Sequence, residues 1–312
     1  EMVIRDWSSD VCSSDLLRYD GRTKMNPILI SNLINLKFMR FENLSSLDSS
    51  YNFGISVTCL DCSYNGYNHI SQEYLDNFKV LKILNCSNNV GISNLNNLSE
   101  TLEDLNCSGT KDLGQNGISS LKLKRLICCG KNNITDLNHM SDTLTELNIS
   151  HSTITQKGIC KLRNLEIFRC SQNTMVTDVN HFSRTLKSLT CDSSAISQEG
   201  ISKLFNLTYL DCRANMYIND VNHLSNVLET LDCGITGITN HGLKDLLKLK
   251  KLNINDNCHI TNIDPLNASL TELHCSGYEC SFDQNGINGL KNLEILNCKN
   301  NDKIKNVNHL SN

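Results

Sequence analysis

Proline is nearly absent from this chain, with two residues in 312, so few positions force a break in regular structure. Aromatic residues make up 5%, and tryptophan occurs once. No apolar run approaches the ~18 residues of a membrane-spanning helix. Charge of one sign is not in excess either: 29 basic residues face 33 acidic ones, a net charge of −4. That balance argues against a nucleic-acid footprint and against a polybasic membrane patch. Catalytic signatures are missing too. There is no phosphate-binding glycine loop, no G-x-S-x-G, no zinc-protease helix and no paired Cys/His ligand set. The expectation is a non-enzyme with no catalytic residue, no cofactor and no metal.

Leucine, isoleucine and asparagine are abundant, and they recur at regular intervals. The segment Arg5–Leu16, RDWSSDVCSSDL, does not share that rhythm. It matches the translation of a common sequencing-library adapter. Residues 1–16 are therefore read as an assembly artefact, so Trp7 and Cys12 carry no structural meaning and the natural N-terminus lies outside the sequence. Residues 17–35 read as a partial repeat.

From residue 36 to 312 the chain repeats on an L-x-x-L-x-C opening. Starts fall at Leu36, Val57, Leu81, Leu102, Leu123, Leu144, Leu165, Leu186, Leu207, Leu228, Leu249, Leu270 and Leu293. Every step from Leu81 to Leu270 is 21 residues. Two types alternate. Type A, as in LEIFRCSQNTMVTDVNHFSRT from Leu165, has an Asn-rich tail that predicts a 3-10 turn or extended segment. Type B, as in LKSLTCDSSAISQEGISKLFN from Leu186, carries a Ser/Thr/Asp cap before apolar residues at helical spacing, which predicts one or two helical turns. The opening alternates with period 2, so it predicts a short strand with Leu and Cys inward. No repeat can bury its own apolar stripe, so stacking must build one continuous core.

This pattern resembles the leucine-rich repeat, L-x-x-L-x-L-x-x-N-x-L. The type B tail is similar to cysteine-containing and ribonuclease-inhibitor-like repeats. The resemblance implies an α/β solenoid, a horseshoe or gently curved rod with a parallel sheet on its concave face. It also implies that the asparagines Asn65, Asn89, Asn173, Asn215, Asn257 and Asn301 bond the turn backbone. Lys131 breaks that column, and Thr110, Ser152, Ser194 and Thr236 replace it in type B.

Ten cysteines share one inward position: Cys62, Cys86, Cys107, Cys128, Cys170, Cys191, Cys212, Cys233, Cys275 and Cys298. Ile149 and Ile254 substitute there, so the slot is apolar and the thiols are read as free core residues. Free core thiols point to a reducing, cytoplasmic setting. His139, His181, His223 and His309 share a type A position too widely spaced for a shared metal and are read as capping or surface groups. The type B glycines Gly117, Gly158, Gly200, Gly242 and Gly286 are read as permitting a tight turn or close coil packing.

The function expected is a non-catalytic protein-interaction scaffold that binds a partner protein on the concave sheet, with a cytosolic adaptor as its leading form. The alternative is a secreted or surface adhesin or effector whose export signal lies outside the sequence. Side chains two, four and six residues after each start should face the partner. Most are short and polar, as at Asn85, Asn148 and Ser87. Arg125, Ile127, Arg169, Tyr209, Asp211 and Arg213 are larger and form the candidate partner-binding residues, because Arg and Tyr carry hot spots. No nucleic acid and no membrane span are expected. Further repeats should follow Asn312, and uncapped ends should favour self-association.

Overall fold

In the computed structural model, backbone is described for residues 16–19, 36–41, 56–63 and 70–310. The adapter-like segment apart from Leu16, most of the partial repeat, and residues 42–55 and 64–69, Asn65 among them, lie outside the described residues. The chain divides into two compact units, Glu1–Leu144 and Thr145–Asn312.

Each repeat opening makes one short strand. In the first unit these are β1 Leu16–Tyr19, β2 Phe38–Phe41, β3 Cys59–Asp61, β4 Ile83–Asn85, β5 Asp104–Asn106 and β6 Arg125–Ile127. Each pairs in parallel with the next. In the second unit they are β7 Glu146–Asn148, β8 Ile167–Arg169, β9 Ser188–Thr190, β10 Tyr209–Asp211, β11 Thr230–Asp232, β12 Lys251–Asn253, β13 Glu272–His274 and β14 Ile295–Asn297. These too pair in parallel and in order. The register places leucine opposite leucine, as in Leu84↔Leu105 and Leu210↔Leu231. The core therefore runs as a column of equivalent side chains, and each such leucine contributes roughly 1.5–3 kcal/mol on burial.

The tails differ as their sequences require. Type A coils turn through single 3-10 turns, for example Asn180–Phe182 and Asn222–Leu224. Type B coils make one turn of α-helix: α1 Gln72–Leu75, α2 Gln156–Ile159, α3 Gln198–Ile201 and α4 Gln284–Ile287. Gln115–Ile118 and Asn240–Leu243 tighten to 3-10 geometry. The cap residues work as expected at Ser71, Ser197 and Asp283, whose side chains accept from Tyr74, Gly200 and Gly286 amides. Among the described residues no helix is long and apolar enough to cross a membrane.

The repeated polar residues hold coil to coil. Asn215 Nδ2 donates to the Ile196 carbonyl at 3.1 Å, and its Oδ1 accepts from the Tyr217 amide at 3.0 Å. Asn173, Asn257 and Asn301 bond in the same way. Where Lys131 interrupts the column, Asn132 replaces it one residue later. It is 8% exposed, donates to the Cys128 carbonyl and accepts from the Ile134 amide. The histidines cap: Nε2 of His139, His181, His223 and His309 donates to the carbonyls of Ile118, Ile159, Ile201 and Ile287 at 3.0–3.2 Å. Burial lowers the pKa of His181 and His223, consistent with neutral donors. At Gly200 close packing, not a turn, is what demands glycine: a Cβ there would collide with the Thr177 carbonyl oxygen of the preceding coil.

The cysteine column is free thiol throughout its described members, and nine of the ten are buried. Several thiols donate to a strand carbonyl of the next coil, as Cys62 to Asn85 at 3.3 Å and Cys212 to Asp232 at 3.4 Å. Burial pushes the Cys86 thiol up to about 12, and Cys212 and Cys233 are also raised well above the usual range.

Candidate interaction surface

The outward sheet face is built from the first and third strand residues and the residue two beyond. At the third position Asn and Asp recur for a local reason. Their side-chain oxygens accept the backbone amide two residues on and so brace the strand's exit: Asn85 from Ser87, Asn148 from Ser150, Asp211 from Arg213, Asp232 from Gly234. Much of the polar row is thus self-bonded, and Ser87 is only 8% exposed.

The six larger residues fall in different surroundings. In the first unit Arg125 reaches Asp104 at 3.1 Å, and Ile127 is 6% exposed, so its side chain offers little contact area. In the second unit Arg169 is paired with Glu146 at 2.7 Å. Tyr209 sits between Ser188 and Thr230 in register, which leaves its ring standing above smaller neighbours at 37% exposure. Asp211 lies opposite Asp232 on the next strand and Thr190 on the previous one. Arg213 is exposed beside them.

Asp211 and Asp232 have no ion-pair cation within 4.0 Å among the described residues. Each accepts the amide named above, and Asp232 also takes a 2.8 Å bond from Asn253 Nδ2. Burial, then Asp232, push the Asp211 carboxyl up to about 6; Asp192 adds to the shift and Arg213 opposes it. Burial likewise raises Asp232. Burial and the two carboxylates raise Tyr209. Chemically this is a place to receive a cation: two partly desolvated carboxylates beside an aromatic face. Among the described residues no group of three His, Cys, Asp or Glu side chains is arranged to hold a metal ion.

Sequence reading picked out the large side chains but missed two features. It missed the Asx brace that explains the strand-end Asn and Asp. It also missed Asp232 as the partner of Asp211, although both occupy the fourth offset in adjacent repeats.

No protein-family model matches the chain, and no curated protein matches its sequence. Solved structures do. A leucine-rich repeat protein of Leptospira interrogans superposes with a TM-score of 0.65 at 18% identity, over 89% of this chain and 82% of that one. The internalin InlF of Listeria monocytogenes gives 0.56 at 21% identity, over 77% and 81%. The functional domain of InlJ from the same bacterium, described as including a cysteine ladder, gives 0.58 at 20% identity, over 82% and 66%. With one parallel strand per 21-residue period and these likenesses, the chain has the leucine-rich repeat fold.

Proposed function

We propose that the protein is a non-catalytic interaction scaffold whose second unit binds a partner protein on the outward sheet face. The observation that carries this reading is Tyr209, the large aromatic side chain raised above a row of short residues and set beside two carboxylates that lack a cation. The partner that fits presents a lysine or arginine to Asp211 and Asp232, with Tyr209 and Arg169 giving contact area around it. The free thiol column supports work in a reducing compartment, as a cytosolic adaptor would require.

The test is affinity capture from the native source followed by calorimetry with the purified partner. Tyr209→Ala and Arg169→Ala should each weaken binding by about 1–2 kcal/mol. Ser150→Ala, in the self-bonded row, should leave it unchanged. An affinity indifferent to both large-residue changes would move the binding site off this face.

A further inference from the structure

The chain-wide charge of −4 hides an uneven distribution. In the second unit each coil leaves its convex turn and descends toward the next strand through a short exposed segment. Successive segments hold Lys161 and Arg163, then Arg184, then Lys203, then His223, then Lys244 and Lys248. All six Lys and Arg side chains are exposed, and Asp245 is the one carboxylate among them. Arg163, Arg184, Lys203, Lys244 and Lys248 make no ion pair within 4.0 Å among the described residues, whereas the row beside the strands neutralises itself through Lys187–Glu166 and Lys250–Glu229. On the other side, Asp178 and Asp220 fold back to accept the Asn180 and Asn222 amides.

Stacking fixes these segments side by side. Thr185 Oγ1 donates to the Arg163 carbonyl, and Asn206 Nδ2 donates to the carbonyls of Ser183 and Arg184 at 3.1 Å. The strip is not only cationic. Phe205 occupies the column of Arg163 and Arg184 one coil on, is 57% exposed, and leans edge-on against His223 at 6.2 Å. Leu247 holds the same column two coils further, about 10 Å away, and is 66% exposed. Five cations without an ion pair, with two apolar side chains projecting between them, match an anionic bilayer surface: the cations meet headgroup phosphates and carboxylates while Phe and Leu enter the acyl boundary. A single aromatic gives no stacking platform for successive bases, which disfavours a nucleic acid.

We propose that this strip, Lys161 to Lys248, docks the second unit on an anionic lipid surface, on a part of the coil distinct from the sheet face. The full chain should float with vesicles of equal parts phosphatidylserine and phosphatidylcholine, should not float with phosphatidylcholine alone, and should be released by salt. Each cation near such a surface is worth about a fivefold change in binding, so combining Arg163→Gln, Arg184→Gln and Lys203→Gln should weaken it about a hundredfold. Removing Lys79, Lys82 and Lys111 in the same way, all exposed in the first unit, changes net charge equally and should have little effect. With Trp7→Phe as background, Phe205→Trp should shift its emission to the blue on anionic vesicles. Unaltered melting curves show that the variants fold. Equal loss from both triple variants, equal flotation with neutral vesicles, or retention of single-stranded RNA with no vesicle binding each overturns the proposal.

Discussion

At the scale of single residues, one column decides how the coils from Leu81 on leave their strands. Seven residues after each of these starts the backbone is left-handed: Asn88, Gly109, Gly130, His151, Gln172, Ser193, Ala214, Ile235, Asp256, Gly277 and Asn300 all have positive φ. Glycine and asparagine suit that region, but Ile235, β-branched and at φ 52°, does not. Its side chain is 50% exposed, so little packing offsets the strain. Ile235→Asn should therefore stabilise the fold by about 1 kcal/mol, read as a higher urea midpoint with unchanged slope. Asp211 gives a second prediction at this scale. Its folded-state pKa of about 6 lies above the ~3.9 of an unfolded aspartate, so proton binding favours the folded chain. That contribution is full below about pH 4 and is lost as pH rises through about 6. Asp211→Asn keeps an acceptor for the Arg213 amide, as Asn148 does for Ser150. It should raise stability at about pH 8 by roughly 1–2 kcal/mol and change little at about pH 4. A gain equal at both pH values would show that the carboxylate's charge is not what destabilises the site.

At the scale of elements, strand positions and thiol column were legible in the sequence, because each follows from a period or an apolar slot, and so were the tail types except at Gln115–Ile118 and Asn240–Leu243. The clips between tails were not, although their residues also recur. Gln156 and Gln198 open helices α2 and α3, and each reaches the following type A coil three times. Gln198 Nε2 donates to the Asp220 carbonyl at 2.8 Å, and its Oε1 accepts from the Asn219 and Asp220 amides at 3.0 Å. The 3-10 asparagines continue the chain of clips: Asn222 Nδ2 donates to the His241 carbonyl and its Oδ1 accepts from the Asp245 amide. A glutamine at a helix start reads from sequence as a solvent-facing residue, because its targets lie about 21 residues away in the next coil. The candidate face was legible only in part for the same reason. Residue size marks Tyr209, but the burial of Ile127 and the pairing of Arg169 with Glu146 are set by neighbours across the sheet. Gln198→Ala should leave two amides without their partner and cost about 1–2 kcal/mol. Hydrogen exchange should quicken at Asn219 and Asp220 and stay unchanged at Thr177 and Asp178, which Gln156 still holds.

At the scale of the whole molecule, stability in a repeat array is a sum of coil and neighbour terms, so its interior and its edges open at different free energies. The thiol column supplies a reporter in almost every coil. Native protein at neutral pH should alkylate at Cys160 and Cys258, which are exposed. The interior column thiols are fully covered and their thiolates are suppressed, Cys86 with a pKa of about 12 among them. The coil from Leu293 differs. Leu293, Leu296, Cys298 and Ile304 are half-exposed, and Ile295 is 51% exposed, whereas Cys212 and Cys233 are 0% exposed. In a polypeptide of residues 1–312, pulsed alkylation with rising denaturant should therefore label Cys298 first, Cys275 next, and Cys233 and Cys212 at higher concentration. Each step peels one coil, or two where Ile254 stands in the column, and uncovers the next thiol. Simultaneous labelling of all four would mean that the interfaces are strong enough to fuse these coils into one cooperative block, and that the poorly covered coil is held as firmly as the interior.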